Sequence, residues 1–121
     1  MGKLQDKVAV ITGGSTGMGL STAALFVREG AKVVITGRDR SALDAAVRTI
    51  GDGVETLVSD ISKLPDIEVL RTFVEDRYGR VDILFANAGG GRPGAFETVT
   101  EDDFDFGSDT NFKGTFFTVQ K

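Results

Sequence analysis

At 121 residues, 40% of them hydrophobic and 26% charged, the chain has the size and balance of one globular domain with a real core. Its net charge of −4 provides no extended basic footprint, so neither nucleic acid nor an anionic membrane surface is expected as a partner. With no cysteine and no histidine, disulfides, thiolate or imidazole metal sites and any Ser–His or Cys–His nucleophile are excluded, and no metal-ligating set is expected.

The first residues, Met1 to Asp6, contain no hydrophobic stretch suited to secretion, and Asp6 stands where a myristoylation signal needs Ser or Thr. No apolar run is long enough to cross a bilayer, and a cytoplasmic location is expected. Short β-branched runs then alternate with helical patterns, the mark of a parallel sheet built from βαβ units. Strands are predicted at Val8–Thr12, Lys32–Thr36, Val54–Ser59 and Val81–Ala86, apolar on both faces as covered parallel strands should be. A first helix is expected from Leu20 to Arg28, closed by Gly30. A second is capped by Ser41, carries Leu43, Val47 and Ile50 at helical spacing, and ends at Gly51 and Gly53. Pro65 suits the first turn of a third helix, with Ile67, Leu70, Phe73 and Val74 inward and Gly79 as its stop.

The stretch Gly89-Gly90-Gly91-Arg92-Pro93-Gly94 reads as a surface loop, bordered by Phe96. Thr100 and Asp103 form a weak start signal for a last segment. There Phe112, Phe116 and Val119 fit a helix, Gly114 to Val119 also fits a strand, and helix is favoured although Gly107 and Gly114 each cost it about 1 kcal/mol relative to Ala. No internal repeat or linker interrupts the pattern.

The turn Thr12-Gly13-Gly14-Ser15-Thr16-Gly17-Met18-Gly19 joins the first strand to the first helix. Glycines there let the backbone bend and approach a ligand, and the free N–H groups and positive dipole end of the helix face a phosphate. A triphosphate-binding loop would need a lysine where Leu20 stands. A phosphoacceptor signalling domain of this size, with Asp60 after the third strand, would need an acidic pair where Thr12-Gly13-Gly14 stands. Thr12 itself reads as a structural hydroxyl. Asp60 could equally cap a helix or close a strand-end turn.

The pattern Thr12-Gly13-x-x-x-Gly17-x-Gly19 resembles the T-G-x-x-x-G-x-G signature of the short-chain dehydrogenase/reductase family. Asp60-Ile61, Asn87-Ala88-Gly89 and Asn111 match three further family elements in order, so the resemblance runs from Lys7 to Lys121. It implies an α/β, Rossmann-like doubly wound parallel sheet of four strands in the order 3-2-1-4, with residues 1–121 an incomplete dinucleotide-binding domain. It also implies cofactor contacts at Gly13, Ser15, Thr16, Gly17, Met18 and Gly19, at Asp60 and Ile61 toward the adenine, and at Asn87, Ala88 and Gly89. Asn111 inherits a catalytic label.

Arg38 follows the second strand, while Gly37 sits where NAD-preferring relatives carry an Asp, so NADP is expected ahead of NAD. The family's chemistry rests on a Ser and a Tyr-x-x-x-Lys. The single tyrosine, Tyr78, has Asp at position 82 and precedes the fourth strand, so the triad is expected downstream of Lys121 and the chain by itself is expected to be inactive. The resemblance implies an NAD(P)(H)-dependent oxidoreductase of small alcohol or carbonyl substrates, forming a homo-oligomer. The alternative is a non-catalytic nucleotide-binding or self-associating module.

Overall fold

A computed structural model describes residues 2–88 and 98–121. The elements are β1 (Val8–Thr12), α1 (Gly17–Arg28), β2 (Lys32–Gly37), α2 (Arg40–Ile50), β3 (Val54–Val58), α3 (Leu64–Tyr78) and β4 (Ile83–Ala86). After them come α4 (Glu101–Ser108), a π-helical stretch (Asp109–Gly114) and α5 (Thr115–Gln120). The strands pair in parallel in the order β3-β2-β1-β4, the expected doubly wound arrangement. The loop at 89–94 and the residues Gly89, Arg92 and Phe96 lie outside the described residues.

Strand alternation divides the core between the two faces of the sheet. Ala9, Ile11, Val33 and Ile35 point to one face and pack against Ala23 of α1 and Leu43 and Ala46 of α2. Val8, Val10 and Val34 point to the other and meet Leu70 and Val74 of α3. Only the two central strands are covered on both sides, a correction to the expectation for all four. Every residue of β3 is partly or well exposed, with Val58 43% exposed, and Leu84 of β4 is 36% exposed, because each forms an outer strand.

Several boundaries also differ, β2 running on to Gly37 and β3 ending at Val58. The α2 cap is Asp39, whose carboxylate accepts from Ser41 N at 2.9 Å, so Ser41 lies inside the helix. An acceptor two residues ahead of an orphan N–H wins over a hydroxyl already within the first turn. The first helix begins at Gly17 instead of Leu20, the glycine turn itself supplying its first residues. Pairing of β4 with β1 begins at Ile83; just ahead of it Asp82 N donates to Val8 O at 2.8 Å, and the Asp82 side chain reaches back as well. Its Oδ2 accepts from Val8 N at 2.8 Å and from Arg80 Nε at 2.9 Å. Those bonds, Val8 first, hold the Asp82 carboxyl below its ordinary value.

The last segment is helical, with a six-residue π-helical stretch in its middle. Gly114 ends that stretch and is buried against the backbone of Ile61, where a Cβ would collide with the carbonyl oxygen. What reads in sequence as a propensity defect is thus a packing requirement. We expect Gly114→Ala to lower stability by about 1–3 kcal/mol in urea unfolding, overpacking outweighing the roughly 1 kcal/mol propensity gain. A stabilised variant would contradict this packing.

At the other end of the sheet the Tyr78 hydroxyl donates to the Glu55 carboxylate of β3. Arg77 bridges the same carboxylate at 2.8 Å and lies over the Phe73 ring. Burial first, and then Glu55, push the Tyr78 phenol up to about 12. A folded value above the unfolded one means that this contribution to stability is complete below pH about 10 and fades between about 10 and 12. Since Tyr78 is the single tyrosine, phenolate absorbance reports on it alone. The titration midpoint is expected near 12 in buffer and near 10 in urea; equal midpoints would contradict the tie.

Candidate functional site

At the C-terminal ends of the strands a cleft of about 770 Å³ opens between the glycine turn, the β2–α2 turn, the β3–α3 turn and the end of β4. Such a crevice forms where the strand order reverses, since the connections from β1 and β4 leave toward opposite faces of the sheet.

Thr12 fixes the two lips of the crevice. Its buried Oγ1 accepts from Asn87 N and from Ala88 N, both at 3.1 Å, and Asn87 Nδ2 donates to Gly13 O at 3.1 Å. Gly13, at φ 68°, has no room for a side chain: a Cβ would lie 2.8 Å from Ala88 Cα. Gly19 is buried behind the turn, where a Cβ would meet Gly13 O and Asn87 Nδ2. Gly17 faces the other way, and nothing stands within 4 Å of its Cβ position. The first turn of α1 begins beside it. Thr16 gives that turn no side-chain cap, and no acidic residue occupies it. Unfilled N–H donors at a positive helix end are suited to an anion.

The opposite wall is built on Asp60. Its Oδ1 accepts from Ser62 N at 2.9 Å and Ser62 Oγ at 2.7 Å, closing the turn after β3, while Asp60 N donates to Asp66 Oδ2 at 2.9 Å. Burial, the largest influence, raises the Asp60 pKa, but the Ser62 bonds together with the Arg38 and Lys63 charges outweigh it and hold the carboxyl below its ordinary value. Asp60 is therefore an acceptor at neutral pH. Ile61 beside it is 5% exposed.

Of the residues singled out from sequence, Gly13, Ser15, Thr16, Gly17, Met18, Arg38, Asp60, Ile61, Asn87 and Ala88 line this one cleft. Gly19 supports it from behind, Gly89 lies outside the described residues, and Asn111 is exposed and away from the lining. Sequence reasoning missed Thr36, Ser59 and Thr110. The equivalent ends of β1 and β2, where Thr12 and Thr36 are register partners, could have suggested Thr36. Thr110 is signalled only by its place beside Asn111.

The donor set fits a dinucleotide: a bare backbone turn at a helix start, a carboxylate acceptor across from it, and a guanidinium at the rim. The hydroxyls of Thr36 and Thr110 are buried without a hydrogen-bond partner among the described residues, and both residues line the cleft. Buried polar groups of that kind are rare unless something completes them. No helix is long and apolar enough to cross a membrane among the described residues.

Comparison with known proteins agrees with this geometry. An oxidoreductase from Sarocladium schorii is 40% identical over 118 residues, covering 98% of this chain and 47% of the relative. The crystal structure of a short chain dehydrogenase from Bacillus anthracis superposes with a TM-score of 0.89 at 35% identity, over 94% of this chain and 48% of that one. A 3-ketoacyl-(acyl-carrier-protein) reductase from Brucella melitensis, solved with NADH, gives 0.88 at 34% identity, over 98% and 49%. The chain thus spans about half the length of the relatives it matches. The family model for short chain dehydrogenases matches residues 7–121, and the chain belongs to that family.

Proposed function

We propose that residues 1–121 are the dinucleotide-holding domain of an NAD(P)(H)-dependent oxidoreductase that acts on a small alcohol or carbonyl compound in the cytoplasm. One observation carries the reading. The uncapped start of α1, the Asp60 carboxylate and the Asn87–Ala88 backbone, from three separate loops, converge on a single cleft at the point where the strand order reverses.

In this reading the N–H groups of the Gly17–Gly19 turn hold the pyrophosphate, Asp60 accepts from the adenine, and Ala88 lets the backbone come close to a ribose. The bound nicotinamide supplies hydride exchange with a substrate carbon. The accompanying proton needs a group other than Tyr78, whose phenol is committed to Glu55 with a pKa pushed up to about 12. No Tyr-x-x-x-Lys pattern occurs in the sequence, so we expect nucleotide binding without turnover by these residues alone, and Asn111 keeps only an inherited catalytic role.

NADP is the favoured form. Arg38 lies on the cleft rim, and Asp39, the neighbouring acid, is turned to Ser41 N as the α2 cap. A guanidinium suits a 2′-phosphate by charge-assisted bonding. Fluorescence titration is expected to give tighter binding of NADPH than of NADH. Arg38→Ala should weaken NADPH about tenfold and NADH by less than about twofold. Failure of the folded chain to bind either nucleotide would sink the proposal.

A second observation favours self-association. Phe112, Phe116 and Val119 recur at helical spacing and are 76%, 58% and 63% exposed. A homo-oligomer covering that stripe, or a non-catalytic module that works by pairing, is the alternative reading. Light scattering at high concentration should give a mass above the monomer; a monomeric mass counts against both forms of it.

A further inference from the structure

In a capping box, the side chain three residues past the helix cap reaches back to the N–H of the capping residue. Helix α3 is built differently. Its capping residue is Lys63, whose N–H is already taken by Asp60 O at 3.0 Å. Asp66, in the first turn, extends its carboxylate past Lys63 to Asp60 N at 2.9 Å. Asp60 is thereby fastened at three points: its N–H by Asp66, its carbonyl by Lys63 N, and its carboxylate Oδ1 by Ser62 N and Oγ. The bonds from Ser62 fix how the side chain is turned. The bond to Asp66 fixes where the main chain that carries it stands.

Asp60 lines the cleft and Asp66 does not. With Oδ1 occupied by Ser62, Oδ2 is the oxygen that meets a donor on a ligand. We propose that Asp66 is a positioning residue for base recognition. By holding the Asp60 main chain it sets the carboxylate where it takes the exocyclic amino group of adenine, so the site selects a 6-amino purine over a 6-oxo purine. A hydrogen bond to an ionised acceptor is strong but sensitive to distance and angle, and about an ångström of drift in the turn is enough to lose it. The inference rests on the dinucleotide reading above and adds to it a residue outside the cleft and outside every sequence motif. Asp66 also brings a negative charge to the positive end of α3. Bond and charge are separable, because Asn keeps an acceptor and loses the charge.

Fluorescence titration with NADH and with reduced nicotinamide hypoxanthine dinucleotide, which has a carbonyl oxygen in place of the adenine amino group, reads this selection as a ratio of affinities. The wild-type chain should prefer NADH about tenfold. Asp66→Ala should lower that ratio to about two or less, chiefly by weakening NADH, while Asp66→Asn should stay within about twofold of the wild-type ratio. Asp66→Ser, whose hydroxyl is too short to reach Asp60 N, serves the same purpose if the Ala variant does not fold. In an Asp60→Ala background, Asp66→Ala should change NADH binding less than about twofold, because the residue acts through Asp60. A merely structural carboxylate would weaken both nucleotides alike and leave the ratio unchanged. That result, or equal loss of the ratio in the Ala and Asn variants, overturns the proposal and leaves the dinucleotide reading standing. A wild-type chain that binds the two nucleotides equally removes the contact of Asp60 with adenine and this inference with it; one that binds neither removes the dinucleotide reading as well.

Discussion

The cleft depends on a single hydroxyl. Thr12 Oγ1, at the C-terminal end of the central strand, takes the N–H groups of Asn87 and Ala88, and Asn87 returns a bond to Gly13. These bonds join segments more than 70 residues apart in sequence. Each contributes about 1 kcal/mol at a buried position. Their larger effect is geometric, because they set how closely the exit from β4 approaches the turn leaving β1. With Gly13 pressed on Ala88, no side chain fits between them, and the crevice must open beyond that contact.

The architecture was legible because the parallel sheet leaves a strong trace in sequence. Val8 to Ile11 and Val33 to Ile35 are apolar on both faces because both faces are covered, and Gly79 stops α3 in the left-handed conformation, at φ 74°, that its residue type allows. The outer strands were less legible. Glu55 and Thr56 in β3 meet partners only on the inner sides, so burial there is partial and the strand ends earlier. The cap of α2 was misplaced by two residues because Asp39 and Ser41 are both good capping types; which N–H is orphaned depends on backbone geometry that composition does not carry. The same limit hid Gly114, whose value lies in the approach of a carbonyl from a loop more than 50 residues earlier in the chain.

For the candidate site, legibility followed local rules as well. The glycine turn, Asp60 and Asn87-Ala88 stand at strand ends in short motifs, and the fold brings them together. Thr36 and Thr110 belong to no motif. Their membership of the cleft comes from tertiary placement, and their signal, a buried hydroxyl with no partner among the described residues, exists only in three dimensions. Asn111 shows the converse: a motif residue in sequence, adjacent to the cleft-lining Thr110, yet itself exposed.

The starts of the first three helices show where the chain departs from its own habits. Helix α2 begins on the Asp39 carboxylate, and α3 carries Asp66 in its first turn, so a negative charge meets each positive helix end. Helix α1 has neither an acidic first turn nor a side-chain cap, and it opens on Gly17, which has open space in front of it. Of these three starts charge compensation is withheld at this one, and hydroxyls without a partner among the described residues line the same cleft. Local rules are usually broken where function requires it, and these departures coincide in space though they are scattered in sequence. An anionic ligand entering there would complete the donors of α1 and reach the wall built on Asp60. On that view the stability the cleft gives up in isolation reappears as affinity.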